Sequence, residues 1–117
     1  MNRKELGKLG EKYAVDYLKS NNYEIIEINY RCRYGEIDII AKERNTLVFV
    51  EVKTRSSDAF GRGLEAVDLN KRRKIKQVAL YFLNNYHRPV GDIRFDVIDI
   101  NIAPGSTPKL LHLKCAF

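Results

Sequence analysis

Residues 35–55 read GEIDIIAKERNTLVFVEVKTR, two runs of alternating apolar and polar residues joined by a charged turn. Alternation with a period of two is typical of half-buried β-strands, and Val, Ile and Phe favour strands further. The turn Glu43-Arg44-Asn45-Thr46 is short enough for a hairpin. These residues therefore predict two antiparallel strands, Glu36–Lys42 and Leu47–Lys53.

The predicted hairpin brings acidic side chains together. With Arg44-Asn45 as a two-residue loop, Asp38 lies opposite Glu51 and Glu36 lies opposite Lys53. Opposed side chains share one face, with Cβ atoms ~4.5–5.5 Å apart. Facing carboxylates repel each other unless a cation lies between them, and oxygen ligands suit Mg²⁺ or Mn²⁺. We therefore predict a divalent-metal site at Asp38 and Glu51, with Lys53 placed to orient or deprotonate a water at the metal.

The apolar pattern of the hairpin favours this register. It places six residues on one face, namely Ile37, Ile39, Ala41, Val48, Val50 and Val52. A slip of one residue would move Asp38 to the other face. The alternative is an exposed hairpin whose charges are incidental. However, Ile40 and Phe49 share the acidic face, so that face is not simply solvated.

Helix and strand signals also surround the hairpin. Apolar stripes at helical spacing predict a helix over residues 3–20 and another from Asp68, a suitable N-cap, to about Tyr86. The other predicted elements are strands over Tyr23–Cys32, Ile93–Ile102 and Leu110–Phe117, and a loop over Ser56–Gly63. The order is αβββαββ, an α/β (α+β) fold with a mixed sheet of about five strands flanked by two main helices. We expect residues 1–117 to form a single domain.

Three residues of the first predicted helix bear on the site. Gly7 and Gly10 each lower helix stability by ~1 kcal/mol relative to alanine, so we expect another backbone or a ligand to approach closely there. Glu11 lies at the edge of the apolar stripe. From that position it either reaches the sheet or is an ordinary surface glutamate.

Composition limits the class of protein. The 117 residues are 44% hydrophobic and 31% charged, which allows a packed core without metal or disulfide staples and excludes a wholly disordered chain. No apolar run approaches the ~20 residues that a membrane helix needs, and the charged start lacks the apolar core of a signal peptide. Two distant cysteines, Cys32 and Cys115, are typical of a reducing compartment. We therefore expect a cytoplasmic protein without a membrane partner.

Positive charge is concentrated in one segment. The formal net charge is +6, and residues 53–76 hold eight basic and three acidic side chains, a net +5. Such a local field predicts a polyanionic partner, most often nucleic acid, with a solvated helix face as the alternative. Cations at a helix start oppose the helix dipole, so their presence favours an anion site. The predicted nucleic-acid contacts are Lys71, Arg72, Arg73 and Lys74 on the second helix, with Arg31, Arg33 and Arg55 beside the acidic face.

Several motifs together resemble a known family. Gly35-Glu36-Ile37-Asp38 with Val50-Glu51-Val52-Lys53 is similar to the PD-(D/E)xK nuclease signature, although Ile37 stands where a proline would precede the aspartate. The wider pattern resembles the bacterial YraN-like family, to which endonuclease activity is ascribed and which is similar to archaeal Holliday-junction resolvases. That pattern comprises Gly10-Glu11, Asn29-Tyr30-Arg31, Gly35 to Ala41, Phe49 to Arg55, Phe60-Gly61, Ala66-Val67, Arg94-Phe95-Asp96-Val97 and Ala116-Phe117.

The resemblance implies a function and a set of site residues. It implies a restriction-endonuclease-like fold and a metal-dependent endonuclease that hydrolyses DNA phosphodiester bonds, branched or junction DNA included. The products would carry a 5′-phosphate and a 3′-hydroxyl. Asp38 and Glu51 would be catalytic Mg²⁺ (or Mn²⁺) ligands, Lys53 the catalytic lysine and Glu11 a further metal ligand.

Two other functions stay open. One is a non-catalytic nucleic-acid-binding accessory protein in DNA processing, and the other is an interaction domain whose basic helix contacts an acidic protein. The predicted carboxylate pair favours the enzyme, because opposed carboxylates destabilise a protein that only binds. A homodimer is compatible with the sequence.

Overall fold

Two helices and five strands make up the fold. The computed structural model describes residues 1–56 and 68–117. The elements are α1 (Arg3–Ser20), β1 (Glu24–Cys32), β2 (Gly35–Glu43), β3 (Thr46–Arg55), α2 (Leu69–Asn84), β4 (Asp92–Asn101) and β5 (Lys109–Leu113). The predicted order αβββαββ is confirmed, with β5 ending at Leu113 rather than at Phe117. Beyond Ser56, the predicted loop to Gly63 lies outside the described residues.

The strands form one mixed sheet in the order β1-β2-β3-β4-β5. The first three strands are an antiparallel meander, β4 runs parallel to β3, and β5 returns antiparallel to β4. The parallel pair requires the chain to cross the sheet between β3 and β4, and α2 lies in that connection. The predicted mixed sheet is thus confirmed, and it is compatible with a restriction-endonuclease-like fold.

Each face of the sheet is covered by one helix. Residues Ala14 and Leu18 of α1 pack on one apolar cluster, whose strand members are Ile39, Ala41, Val48, Val50, Ile98 and Ile100. On the other face, Val78, Ala79 and Phe82 of α2 pack on a second cluster, whose strand members are Ile37, Ile40, Leu47 and Phe49. Alternate residues of β3 therefore face opposite helices, as a pleated strand requires.

The β2–β3 register is confirmed near the turn and ends before the acidic residues. Pairing runs from Glu43↔Thr46 to Ile39↔Val50 and stops there. The backbone N–H of Val52 donates instead to Oδ2 of Asp38 at 2.8 Å. A side chain thus accepts the hydrogen bond that a strand carbonyl would otherwise accept, and the two strands separate.

This separation corrects three expectations. Asp38 and Glu51 are not a cross-strand pair, because the β2–β3 ladder ends at Ile39↔Val50. Glu36 does not pair with Lys53 across the sheet, because it lies in the β1–β2 ladder opposite Arg31 and forms an ion pair with that residue at 3.0 Å. Ile37 belongs to the α2 cluster rather than to the face of Ile39. On β1, Asn29 lies between the residue that pairs with Ile39 and the residue that pairs with Ile37. Its backbone is left-handed, with a φ of 54°. The alternation is therefore interrupted at this point of the strand pair.

Helix α1 lies close to β3 at one glycine. A Cβ at Gly10 would overlap the side chain of Thr54, whereas a Cβ at Gly7 would have nothing within 4 Å. The expected close approach is therefore confirmed at Gly10, whereas no described residue approaches Gly7 and the approach of a ligand there stays a prediction. The contact at Gly10 fixes the height of the next residue, Glu11, above the sheet.

Helix α2 begins as the sequence predicts. Asp68 is its N-cap, and Oδ1 of Asp68 accepts the backbone N–H of Lys71 at 2.8 Å. The first turn contains no acidic residue, so the basic side chains there are the dominant charges of this helix end. In the part of the chain that the structure describes, no helix is both long and apolar enough to cross a membrane.

Candidate active site

A cleft of about 520 Å³ opens where β2 and β3 separate beneath α1. Its walls include Glu11 from α1, Asp38 from β2, and Glu51 and Arg55 from β3. Three elements thus contribute carboxylates to one cleft: helix α1, strand β2 beyond the end of its pairing with β3, and strand β3 itself. The structure therefore brings together the three acidic residues that the sequence analysis singled out.

Asp38 is the most perturbed acid of the cleft. Burial, together with the charges of Glu51, Glu11 and Glu36, raises its pKa to about 7 against the hydrogen bond from Val52, which lowers it. A carboxyl with that pKa changes charge near neutrality. Its ionised form needs a nearby cation to be stable in this environment.

Glu11 reaches the cleft and is not simply a surface glutamate. Burial raises its pKa, a hydrogen bond with Asn29 lowers it in part, and the charges of Glu36 and Glu51 raise it. The same Asn29 whose left-handed backbone interrupts β1 therefore also holds the α1 carboxylate. Of the two alternatives for Glu11, the structure supports the one in which it reaches the sheet.

Lys71 of α2 contacts one of the three carboxylates of the cleft. Its Nζ is 2.6 Å from Oε1 of Glu51. Burial lowers the pKa of Lys71, but the hydrogen bond and charge of Glu51 outweigh burial and leave that pKa raised. The sequence predicts a phosphate contact for Lys71. In the structure its ammonium is instead occupied by a carboxylate of the cleft.

Lys53 lies next to Lys71 on the α2 side of β3. Burial lowers the pKa of Lys53, and the neighbouring Lys71 ammonium lowers it further against the opposing effect of Glu51. A lysine with a lowered pKa gives up its proton more readily. Of the two lysines that adjoin the cleft, Lys53 is thus the one better suited to accept a proton.

The carboxylates line the cleft without closing into a ligand cage. Among the described residues, no three His, Cys, Asp or Glu side chains converge as a ready metal site. Their donor atoms are nevertheless all carboxylate oxygens, the ligands that Mg²⁺ and Mn²⁺ prefer. Burial is the main cause of the raised pKa of Asp38, and the repulsion from Glu51 that adds to it also favours a cation in the cleft.

The three predicted arginines beside the acidic face have different surroundings. Arg31 is exposed and paired with Glu36. Arg33 lies over the ring of Tyr34, 4.9 Å from its centroid. Arg55 lines the cleft, with its Nε 3.7 Å from Oδ1 of buried Asp99. Of the three, Arg55 is the one that contributes to the cleft wall.

The four predicted basic residues of α2 also differ in their surroundings. Arg72 lies over the ring of Phe117, with 5.7 Å between its guanidinium carbon and the ring centroid. Arg73 and Lys74 are exposed on the following turn. Together with the pairing of Lys71, this places two of the four basic side chains at the solvent surface, where phosphates have access.

A buried polar network was missed by the sequence analysis. Asp96 is 0% exposed and accepts hydrogen bonds from Arg94 at 2.9 Å, while its Oδ2 is 2.7 Å from Nε2 of His112. The other ring nitrogen of His112, Nδ1, is 2.9 Å from the hydroxyl oxygen of Tyr17. The motif Arg94-Phe95-Asp96 was a usable signal, since residues two apart on a strand share a face. This network ties α1, β4 and β5 together outside the cleft.

Comparison with known proteins identifies the family. A model described as "Uncharacterised protein family UPF0102" matches residues 10–100. The UPF0102 protein of Caldicellulosiruptor saccharolyticus is 51% identical over 100 residues, covering 86% of this chain and 85% of its own. That of Caldicellulosiruptor bescii is 49% identical over 120 residues and covers 100% of both chains. That of Nocardia farcinica is 44% identical over 115 residues, covering 98% and 91%. The family resemblance predicted from the motifs is thus confirmed, and the chain belongs to the UPF0102 (YraN-like) family.

Proposed function

We propose that this protein is a metal-dependent endonuclease that hydrolyses DNA phosphodiester bonds. One observation carries the proposal: a cleft that unites Glu11, Asp38 and Glu51 also adjoins Lys53 and Lys71. Partly buried like charges destabilise a fold, so their presence beside two lysines favours a chemical role over a structural one. The basic start of α2 supplies the positive field that a polyanionic substrate needs.

Asp38, Glu51 and Glu11 are the residues that would hold the metal. Their oxygens suit a hard divalent cation, and a charge of +2 would relieve the repulsion that raises the pKa of Asp38. Such a cation lowers the pKa of a bound water and offsets the negative charge of a phosphate. The ion pair of Lys71 with Glu51 leaves the Asp38 carboxylate as the acid of the cleft in greatest need of a cation.

The remaining residues of the cleft act on water and phosphate. Lys53, with its lowered pKa, would orient the attacking water and accept its proton. Arg55, on the cleft wall, would contact the phosphate flanking the scissile bond. The chain would thereby combine a base and a phosphate contact from a single strand, β3.

A panel of DNA substrates tests the proposal. Labelled duplex, flap, four-way-junction and single-stranded DNA are incubated with Mg²⁺, with Mn²⁺ or with chelator. We expect metal-dependent cleavage of at least one substrate, and a loss of about 100-fold or more in Lys53→Met, since a positioned proton acceptor contributes at least that much. DNA binding should persist. Lys42→Met is the control, because Lys42 lies at the far end of the same hairpin.

A non-catalytic nucleic-acid-binding protein is the second candidate. The contact between Lys71 and Glu51 favours it, because this lysine already supplies a positive charge to the cleft. If wild type binds DNA and cuts no substrate of the panel with either metal, this second function replaces the first.

A further inference from the structure

A separate surface of aromatic and basic side chains lies beyond the cleft, between the β1–β2 turn and α2. It surrounds a cavity of about 370 Å³ lined by Arg33 and Tyr34 from the turn and by Gln77, Leu80 and Tyr81 from α2. Tyr34 and Tyr81 are each 39% exposed, and Leu80 is 60% exposed. Large side chains therefore face solvent at a site with no role in the cleft.

The two tyrosine rings form a preorganised pair. Their centroids are 6.1 Å apart at an interplanar angle of 62°. Nη2 of Arg33 donates to the hydroxyl of Tyr34 at 2.7 Å, which orients that ring. Rings held in this way lose little conformational entropy when a flat ligand stacks on them.

An exposed stripe of α2 connects this surface to the cleft. Arg73, Lys74, Gln77 and Tyr81 are exposed. Gln77 follows Arg73 by four residues and Lys74 by three, and Tyr81 follows Gln77 by four, so the four residues lie along one side of the helix. From Lys71 to Tyr81 the helix rises by ~15 Å. The stripe thus begins with cations that follow Lys71, the residue paired with Glu51 of the cleft, and ends in aromatic rings.

We infer that this surface binds the unpaired bases of a single-stranded DNA segment whose backbone follows the cationic stripe toward the cleft. The inference rests on the proposed function and names its substrate class: DNA with a single-stranded portion. Phosphates match the charges of Arg73 and Lys74. Bases stack on Tyr34 and Tyr81, and only unpaired bases expose their faces for such stacking, because bases in a duplex stack on one another.

Binding of short oligonucleotides tests the inference without any cleavage. Fluorescence anisotropy in chelator compares a labelled dT12 strand with a 12-base-pair duplex for wild type, Tyr34→Leu and Tyr81→Leu. Loss of one stacked base should weaken dT12 binding about 5- to 150-fold in each variant and leave duplex binding almost unchanged. Tyr13→Leu is the matched control, because Tyr13 is 38% exposed on α1, across the sheet. Thermal melts confirm that each variant is folded.

Three outcomes overturn the inference. An unchanged affinity for dT12 would show that the tyrosines do not stack on bases, and an equal loss for duplex and dT12 would show a general effect. If sedimentation shows a wild-type dimer that dissociates in Tyr81→Leu without a change in dT12 affinity, the surface joins two copies of the chain.

The test separates this inference from the nuclease proposal. Wild type that binds neither DNA form would end both. Wild type that binds as expected, loses dT12 affinity in the variants and cuts nothing would keep this surface as a single-strand site and reject the nuclease activity alone.

Discussion

The carboxyl of Asp38 shapes the cleft through a hydrogen bond, but its charge destabilises the folded protein. Its Oδ2 accepts the backbone N–H of Val52, which replaces a ladder hydrogen bond and opens the cleft between β2 and β3. The same carboxyl is buried next to Glu51, so its ionised form is disfavoured. An acid in this position stabilises the shape of the site and destabilises the protein whenever it is charged.

The conflict predicts a pH-dependent gain in Asp38→Asn. The pKa of Asp38 is about 7 in the folded protein against an ordinary value of 3.8, so the folded state holds the proton more tightly. Folding is then favoured at low pH, and this contribution is lost as the pH rises from about 4 to about 7. The amide cannot ionise but can still accept the Val52 N–H. In chelator near pH 8, the variant should be more stable than wild type by about 1–3 kcal/mol.

Urea melts of both proteins between pH 4 and pH 8 measure this difference. It should shrink toward zero as the pH falls to about 4, since Asp38 is then protonated in the folded protein and the unfolded chain begins to bind the proton as well. Asp16→Asn is the control, because Asp16 is exposed on α1. A variant less stable than wild type at every pH would mean that the Asp38 charge is already compensated within the protein.

At the level of elements, local sequence patterns predicted the strand register wherever apolar and polar residues alternate regularly. The register from Ile39 to Glu43 follows from the turn and the apolar alternation, and both are local. The position of Ile37 was mispredicted because alternation stops at Asp38, where a side chain replaces a main-chain partner. The left-handed Asn29 contributes from another strand. Such a break depends on contacts between segments, which a period-two pattern does not contain.

The two glycines of α1 give a prediction at this scale. Gly7→Ala should raise the free energy of unfolding by up to ~1 kcal/mol, because alanine favours helix and the added Cβ meets nothing within 4 Å. Gly10→Ala should lower it by about 1–2 kcal/mol, because overlap with Thr54 outweighs the gain in propensity. Chemical denaturation of the two single variants measures both signs. Equal gains in the two variants would mean that α1 can move away from β3 freely.

At the level of the whole molecule, charge and site are arranged along α2. The sequence predicted that Asp38 and Glu51 lie close together, because both belong to the same hairpin. It did not predict that Lys71 would contact Glu51 or that Tyr34 would meet Tyr81, because each contact joins segments far apart in the chain. The net charge of +6 is therefore distributed among groups with different uses. Some of the basic side chains serve the fold or the cleft, and others are available to a partner.

The salt dependence of DNA binding measures how many of these cations contact phosphates. The double variant Arg73→Gln/Lys74→Gln removes two exposed charges near the start of α2. The slope of log affinity against log salt should then fall by about 0.9 for each duplex phosphate that the variant no longer neutralises. The effect should be the same for unrelated sequences, because phosphate contacts carry no base information. Lys19→Gln/Lys109→Gln changes the net charge equally on exposed residues of α1 and β5 and should leave the slope nearly unchanged. If both pairs reduce the slope equally, only the total charge matters, and the start of α2 is ordinary solvated surface.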